Sequence, residues 1–341
     1  MTKYYLRILV ALALAAVPWA EVAPVPGEQA IRPLFEGADL VCFCSVQSVE
    51  ALGPKMAPGD DNSRPRPALA VVKVNGLYKS SGPDPVSVTV QCEEGQLWKG
   101  ERAVLFLKLT APSVYGLADP FIGSTPFTST PRALGGSGLS GLESTLADLM
   151  RLPGRGDQIN AMKLLQGFDD LDARTTARVV PLSSSKDPDI ALSALAVLLK
   201  SGRPVEVERL REYLAGHPSD AAPISVVSIG TELSKISDER ALSDLEALSG
   251  SKLLSVRMGS MQALRAMKNR GSASTLVRRM DDSDGYVRYL AVISLAEIFG
   301  KYGEYAPNMH LFEQNPGFYV GLWKAWWTQE GQISQTGPAA Q

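Results

Sequence analysis

Three cysteines, two histidines and adjacent carboxylates such as Asp169-Asp170 and Asp281-Asp282 are the residues here whose chemistry could extend beyond packing and solvation. Cys42 and Cys44 stand two apart, a spacing at which two thiolates can grip a soft metal ion, but no third ligand residue lies nearby in the sequence. His217 precedes Pro218, His310 lies far along the chain, and neither belongs to an H-E-x-x-H pattern. The nucleophile elbow G-x-S-x-G and the phosphate loop G-x-x-x-x-G-K-[ST] are absent. Asp169-Asp170 and Asp281-Asp282 are neighbours in sequence, so on a helix or turn they point apart and solvate or cap rather than share a proton. Gly136-Ser-Gly138-Leu-Ser-Gly141 spells G-x-G-x-x-G, but the preceding Ser-Thr-Pro-Arg-Ala-Leu is no strand to carry a dinucleotide turn. The expectation is therefore no catalytic residue, no metal and no cofactor.

The cysteines admit two readings. Three is an odd number, which permits at most one internal disulfide in an exported chain. Cys42 and Cys44 point the same way about 6.6–7 Å apart along a strand, an awkward span for bonding each other. One reading bonds Cys92 to Cys42 or Cys44; the other keeps all three as small buried apolar side chains.

Export is expected from the first residues. Lys3 and Arg7 precede an uncharged run from Ile8 to Val17, and Pro18-Trp19-Ala20 follows, so 1–20 reads as a signal peptide cleaved after Ala20 or Ala23. The apolar run is too short to span about 30 Å of hydrocarbon. A secreted or periplasmic protein with no membrane span after cleavage follows, and no cysteine stands close behind the run to accept a lipid.

The elements behind these residues change type midway. Leu40, Cys42, Cys44 and Val46 alternate with Val41, Phe43 and Val49, a strand buried on both faces. Further strands are predicted at Leu69–Val74, Val86–Cys92, Ala103–Leu109 and Tyr115–Ile122, with a loop over Pro54–Pro67. Short strands separated by turns predict a small barrel or sandwich. The series Ala38-Asp39-Leu40-Val41, Val72-Lys73-Val74, Gly100-Glu101-Arg102-Ala103-Val104-Leu105-Phe106-Leu107 and Tyr115-Gly116-Leu117 resembles the bacterial relatives of the netrin-like module. That resemblance covers 34–128 and implies the OB-type barrel shared with tissue inhibitors of metalloproteinases. Those inhibitors chelate the protease metal through an N-terminal cysteine, and here none precedes Cys42, so inhibition does not carry over.

Residues 129–141 read as a Ser/Gly-rich linker, and Ser140 with Glu143 reads as a capping box opening a helix. From 142 to 304 the apolar spacing is helical: predicted helices include Asp172–Leu182, Asp187–Lys200, Glu239–Leu248, Leu253–Lys268 and Gly285–Gly300. Val256-Arg257 with Ser260, Ala263 and Leu264 recurs 31 residues later as Val287-Arg288 with Ala291, Ser294 and Leu295. A looser copy starts at Asp187-Pro188-Asp189-Ile190. These residues resemble HEAT-like repeats of the phycobilisome-lyase type, which implies a scaffold of stacked helix pairs and no particular reaction. The fold class expected is thus α+β multidomain: an OB-like barrel, then a HEAT-like solenoid about five pairs long.

Arg257 and Arg288 share one repeat position, so they read either as a ladder to carboxylates such as Asp282 or Asp284, or as partner-binding cations. A helix over 315–330 carries Trp323, Trp326 and Trp327, either as the terminal cap of the array or as an exposed platform for a protein partner or glycan. Net charge is −2, and Arg270 to Glu304 holds five basic and five acidic residues, so no basic stripe invites nucleic acid. The function expected is an exported, non-catalytic scaffold presenting its helical repeats to a protein partner. The alternatives are an enzyme or accessory that binds a small substrate or oligosaccharide at the barrel mouth, and a purely structural envelope component.

Overall fold

The computed structural model describes residues 31–52, 66–119, 124–132, 134–217 and 223–331. The expected signal peptide at 1–20, most of the loop over 54–67, the end of the strand expected to reach Ile122 and the tail after Gly331 lie outside the described residues.

A short helix, α1 (Ile31–Gly37), leads into β1 (Leu40–Ala51), β2 (Pro67–Ser80), β3 (Ser87–Glu93), β4 (Arg102–Ala111), β5 (Val114–Leu117) and β6 (Ser124–Phe127). The strands follow the order β1-β2-β3-β5-β4, and β4 pairs back onto β1, which closes a five-stranded barrel. β3 and β5 run parallel, and the other pairs are antiparallel. β6 extends β4 along its N-terminal half. β2 is longer than its apolar core suggested, and β1 accommodates it through register shifts at Val41/Cys42, Phe43/Cys44 and Val46/Ser48.

The double-sided burial of β1 has two causes. Leu40, Cys42, Cys44 and Val46 fill the barrel interior with Val72, Val90 and Leu105. Val41 and Phe43 point the other way, into a second core with Phe106, Phe127, Leu142, Leu146, Met162 and Leu165. Each such side chain stabilises the fold by about 1.5–3 kcal/mol relative to exposure. Barrel and helices therefore share a core.

The helices are α2 (Gly138–Leu149), α3 (Arg155–Gln166), α4 (Ala173–Val179), α5 (Pro188–Leu199), α6 (Pro204–Gly216), α7 (Pro223–Ser234), α8 (Leu242–Leu248), α9 (Leu254–Met267), α10 (Ala273–Arg279), α11 (Gly285–Phe299), α12 (Met309–Gln314) and α13 (Pro316–Trp326). Alternate helices pack in sequence: α3 on α5, α5 on α7, α7 on α9, α9 on α11 and α11 on α13. Their first residues fall at intervals of 33, 35, 31, 31 and 31. Ion pairs bridge the same interval, as in Arg211 to Asp244 at 2.6 Å and Arg265 to Glu297 at 2.5 Å.

Four local expectations change. The predicted linker is packed: a Cβ on Gly141 would come within 1.5 Å of the Gly136 carbonyl oxygen, and Gly135 N–H donates to buried Thr145 at 2.8 Å. The capping box does not form, because α2 already starts at Gly138 and Glu143 turns inward to accept from Asp172 N–H at 2.9 Å. The helix expected over Asp172–Leu182 ends at Val179 and tightens into a 3₁₀ segment, Val180–Ser184, where Pro181 lacks the N–H an α-turn needs. The segment Glu239–Ala241 is likewise 3₁₀.

The tryptophan helix also differs from the expectation. It begins 31 residues after α11 and, with α12, makes a further pair beyond the array end expected at 304. Trp323 and Trp326 are buried; Trp323 donates its indole N–H to Tyr305 O at 2.8 Å, and Trp326 donates to Glu330 at 2.8 Å. These two rings are interior, not a platform. Trp327, partly buried, lies against Phe299 with ring centroids 6.4 Å apart.

Candidate functional site

The turns that start α5, α9 and α11 are built alike. Two residues before the helix cap, Ser185, Ser251 and Asp282 each accept the backbone N–H of Asp187, Leu253 and Asp284. Asp187 and Asp284 then cap their helices, accepting from Ile190 and Val287 N–H respectively at 3.3 and 3.1 Å.

Arg257 and Arg288 add a second equivalence. Arg257 Nη1 donates to the carbonyls of Ser251 and Lys252, and Arg288 Nη1 donates to those of Asp282 and Ser283, 31 residues on in both cases. Their outer contacts differ. Arg257 reaches the buried Asp282 carboxylate of the next turn, with Nε 3.1 Å from Oδ2, and Arg279 approaches the same oxygen at 3.9 Å. Arg288 has no carboxylate partner among the described residues, because Asp284 spends its own on the helix cap. The expected ladder thus holds for Arg257 and not for Arg288, and both guanidinium groups are engaged with the turns.

Aromatic residues gather on the last three helices. Tyr286 and Tyr289 of α11 stack with centroids 6.1 Å apart, Tyr289 meets Phe312 of α12 at 5.6 Å, and Phe312 meets Tyr319 of α13 at 6.2 Å. Phe318, 49% exposed, closes on Tyr319 edge to face at 5.1 Å. Gln262 of α9 reaches Tyr286 Oη at 3.5 Å. Arg265, whose pKa is raised chiefly by its hydrogen bond to Glu297, stands beside both α11 tyrosines, and burial pushes up the Tyr289 phenol. Phe312 anchors the row from inside, and the tyrosines and Phe318 remain accessible. No sequence periodicity marks this row, because its members lie on three helices and are not neighbours in sequence; only Tyr286 and Tyr289 at i, i+3 give a local sign.

The other residues of chemical interest stay apart. Cys42, Cys44 and Cys92 are buried free thiols. β2 lies between β1 and β3, two strand spacings of about 4.8 Å, which exceeds the reach of roughly 7 Å that a disulfide tolerates between Cα atoms. The Cys42 thiol is pushed up by its hydrogen bond to Cys44 and by burial, and burial raises Cys92 as well. His217 stacks on Tyr213 at 4.5 Å, and His310 contacts Gln314. Among the described residues no group of three His, Cys, Asp or Glu is placed to hold a metal ion, and no helix is long and apolar enough to cross a membrane.

Two clefts flank the barrel. One of about 450 Å³ lies along the ends of β3, β4 and β5, lined by Gln91, Cys92, Glu93, Gln96 and Thr110. Another of about 440 Å³ lies where the barrel meets α3. A scan against protein-family models finds none that matches the chain, and a search of the curated proteins finds no match either.

Proposed function

We propose that the chain is an exported, non-catalytic binding protein whose helix pairs form a HEAT-like solenoid and present the Tyr286–Tyr289–Tyr319–Phe318 row to a protein partner. The netrin-like barrel closes the first end of the stack, where Phe43 and Phe127 share the core of α2 and α3. The row carries this reading. Tyrosine combines large apolar area with a hydroxyl and loses little entropy on binding, so accessible tyrosines beside an arginine are the composition of a binding hot spot. Regular intervals between stacked helices, turns repeated at Arg257 and Arg288, and the bridging pairs support the solenoid. Export rests on the first twenty residues alone.

A pull-down from envelope and culture fractions with the mature protein tests the proposal. A stoichiometric protein partner is expected; repeated recovery of none contradicts it. The cleft at Gln91 and Gln96, with these amides and Glu93, favours a second reading in which the barrel binds a small substrate or oligosaccharide.

A further inference from the structure

We propose that the cleft between the barrel and α3 is a second binding site, separate from the aromatic row and from the cleft at Gln91 and Gln96, and that its ligand is a neutral sugar. Its floor is apolar: Phe127 is buried, packs on Phe43 with centroids 6.1 Å apart, and is flanked by Pro126. Its rim is polar and half used. Glu101 accepts the Trp98 N–H through one oxygen at 3.1 Å, Arg102 gives one guanidinium nitrogen to Thr128 O at 2.9 Å, and Asn160 gives its amide N–H to Pro126 O at 2.8 Å. Among the described residues the second Glu101 oxygen, the remaining Arg102 donors and the Asn160 carbonyl make no side-chain contact, which leaves them for a ligand.

Charge selects the class. One carboxylate and one guanidinium balance each other at the rim. The third ionisable group, Asp157, is already saturated by Thr128 N–H at 2.6 Å, Thr128 Oγ1 at 3.0 Å and Ser129 N–H at 2.9 Å. A net anion meets Glu101 and a net cation meets Arg102, whereas sugar hydroxyls both donate and accept and leave a C–H face for the floor. Burial raises the Glu101 carboxyl, with the Trp98 N–H pulling the other way. The volume of about 440 Å³ lies within the range of small-ligand sites.

Gly156 permits a clean block. It lines the cleft from the first turn of α3, and nothing stands within 4 Å of where its Cβ would be, so Gly156→Leu adds bulk at the cleft wall without a clash. The full chain is titrated calorimetrically with chitotriose, cellotriose and maltotriose. At least one trisaccharide is expected to bind with Kd below about 1 mM, and Gly156→Leu is expected to weaken it at least tenfold with an unchanged or higher melting temperature. Glu101→Gln is expected to weaken the same ligand several-fold, and Gln96→Ala in the other cleft to leave it within about twofold. No heat from any of the three at about 10 mM, or binding that Gly156→Leu leaves unchanged, overturns the proposal.

Discussion

Gly230 of α7 and Gly259 of α9 meet backbone to backbone: a Cβ added to Gly259 would stand 2.1 Å from the Gly230 carbonyl oxygen. No side chain can yield to relieve that approach, so one helix must move away from the other. Gly259→Ala is expected to destabilise the fold by about 2–4 kcal/mol, although alanine is the better helix former, because separating packed helices outweighs the gain of about 1 kcal/mol in propensity. Chemical denaturation measures the difference. Stabilisation by Gly259→Ala would show that α7 and α9 are not packed in this way.

Asp282 holds two turns together, and Arg257 and Arg288 separate its role from that of the turn itself. Removing a buried carboxylate leaves Arg257 without its counter-charge, so Asp282→Ala is expected to cost about 3–5 kcal/mol. Arg288→Ala removes only hydrogen bonds to two carbonyls and is expected to cost about 1–2 kcal/mol. Urea melts of the two variants check the ranking; equal losses contradict the linking role of Asp282.

Asp157 makes the barrel–helix junction sensitive to acid. Burial pushes its carboxyl up, but the donors of Ser129 and Thr128 outweigh this and hold it below the usual carboxylate range. A depressed folded pKa contributes stability that is present above the unfolded value near 4 and is lost as pH falls through the folded value. Asp157→Asn is expected to destabilise at pH 7 and to flatten the acid limb below about pH 4. Thermal melts of both proteins from pH 7 downward read this directly, and parallel curves contradict it.

How much of this was legible in the sequence varies from element to element. The two-faced apolar run of β1 was visible because both faces meet a core, although its pattern cannot say that one core is the barrel's and the other the helices'. The 31-residue recurrence from Arg257 to Arg288 was visible, since each turn reuses the same side-chain-to-backbone bonds. The helix over 315–330 was visible, but its place in the 31-residue series was not: Phe318-Tyr319 stands where Val287-Arg288 does, Leu322 replaces Ala291, Trp326 replaces Leu295, and only the start at Pro316 keeps the interval. The run Gly135 to Gly141 reads as flexible by composition, yet its glycines serve close backbone contact, which composition alone does not distinguish. Tyr289, Phe312 and Tyr319 became one surface only through tertiary packing.

Site-specific photo-crosslinking tests the central claim most directly. A photoreactive residue replaces Tyr289, Tyr319 or Phe318 in turn, with exposed Arg174 on α4 as the control position, and the full chain is irradiated in the envelope fraction. One discrete protein adduct, shared by the three row positions and missing at Arg174, is the predicted result. Adducts at Arg174 alone, or none at any position of the row, would contradict it.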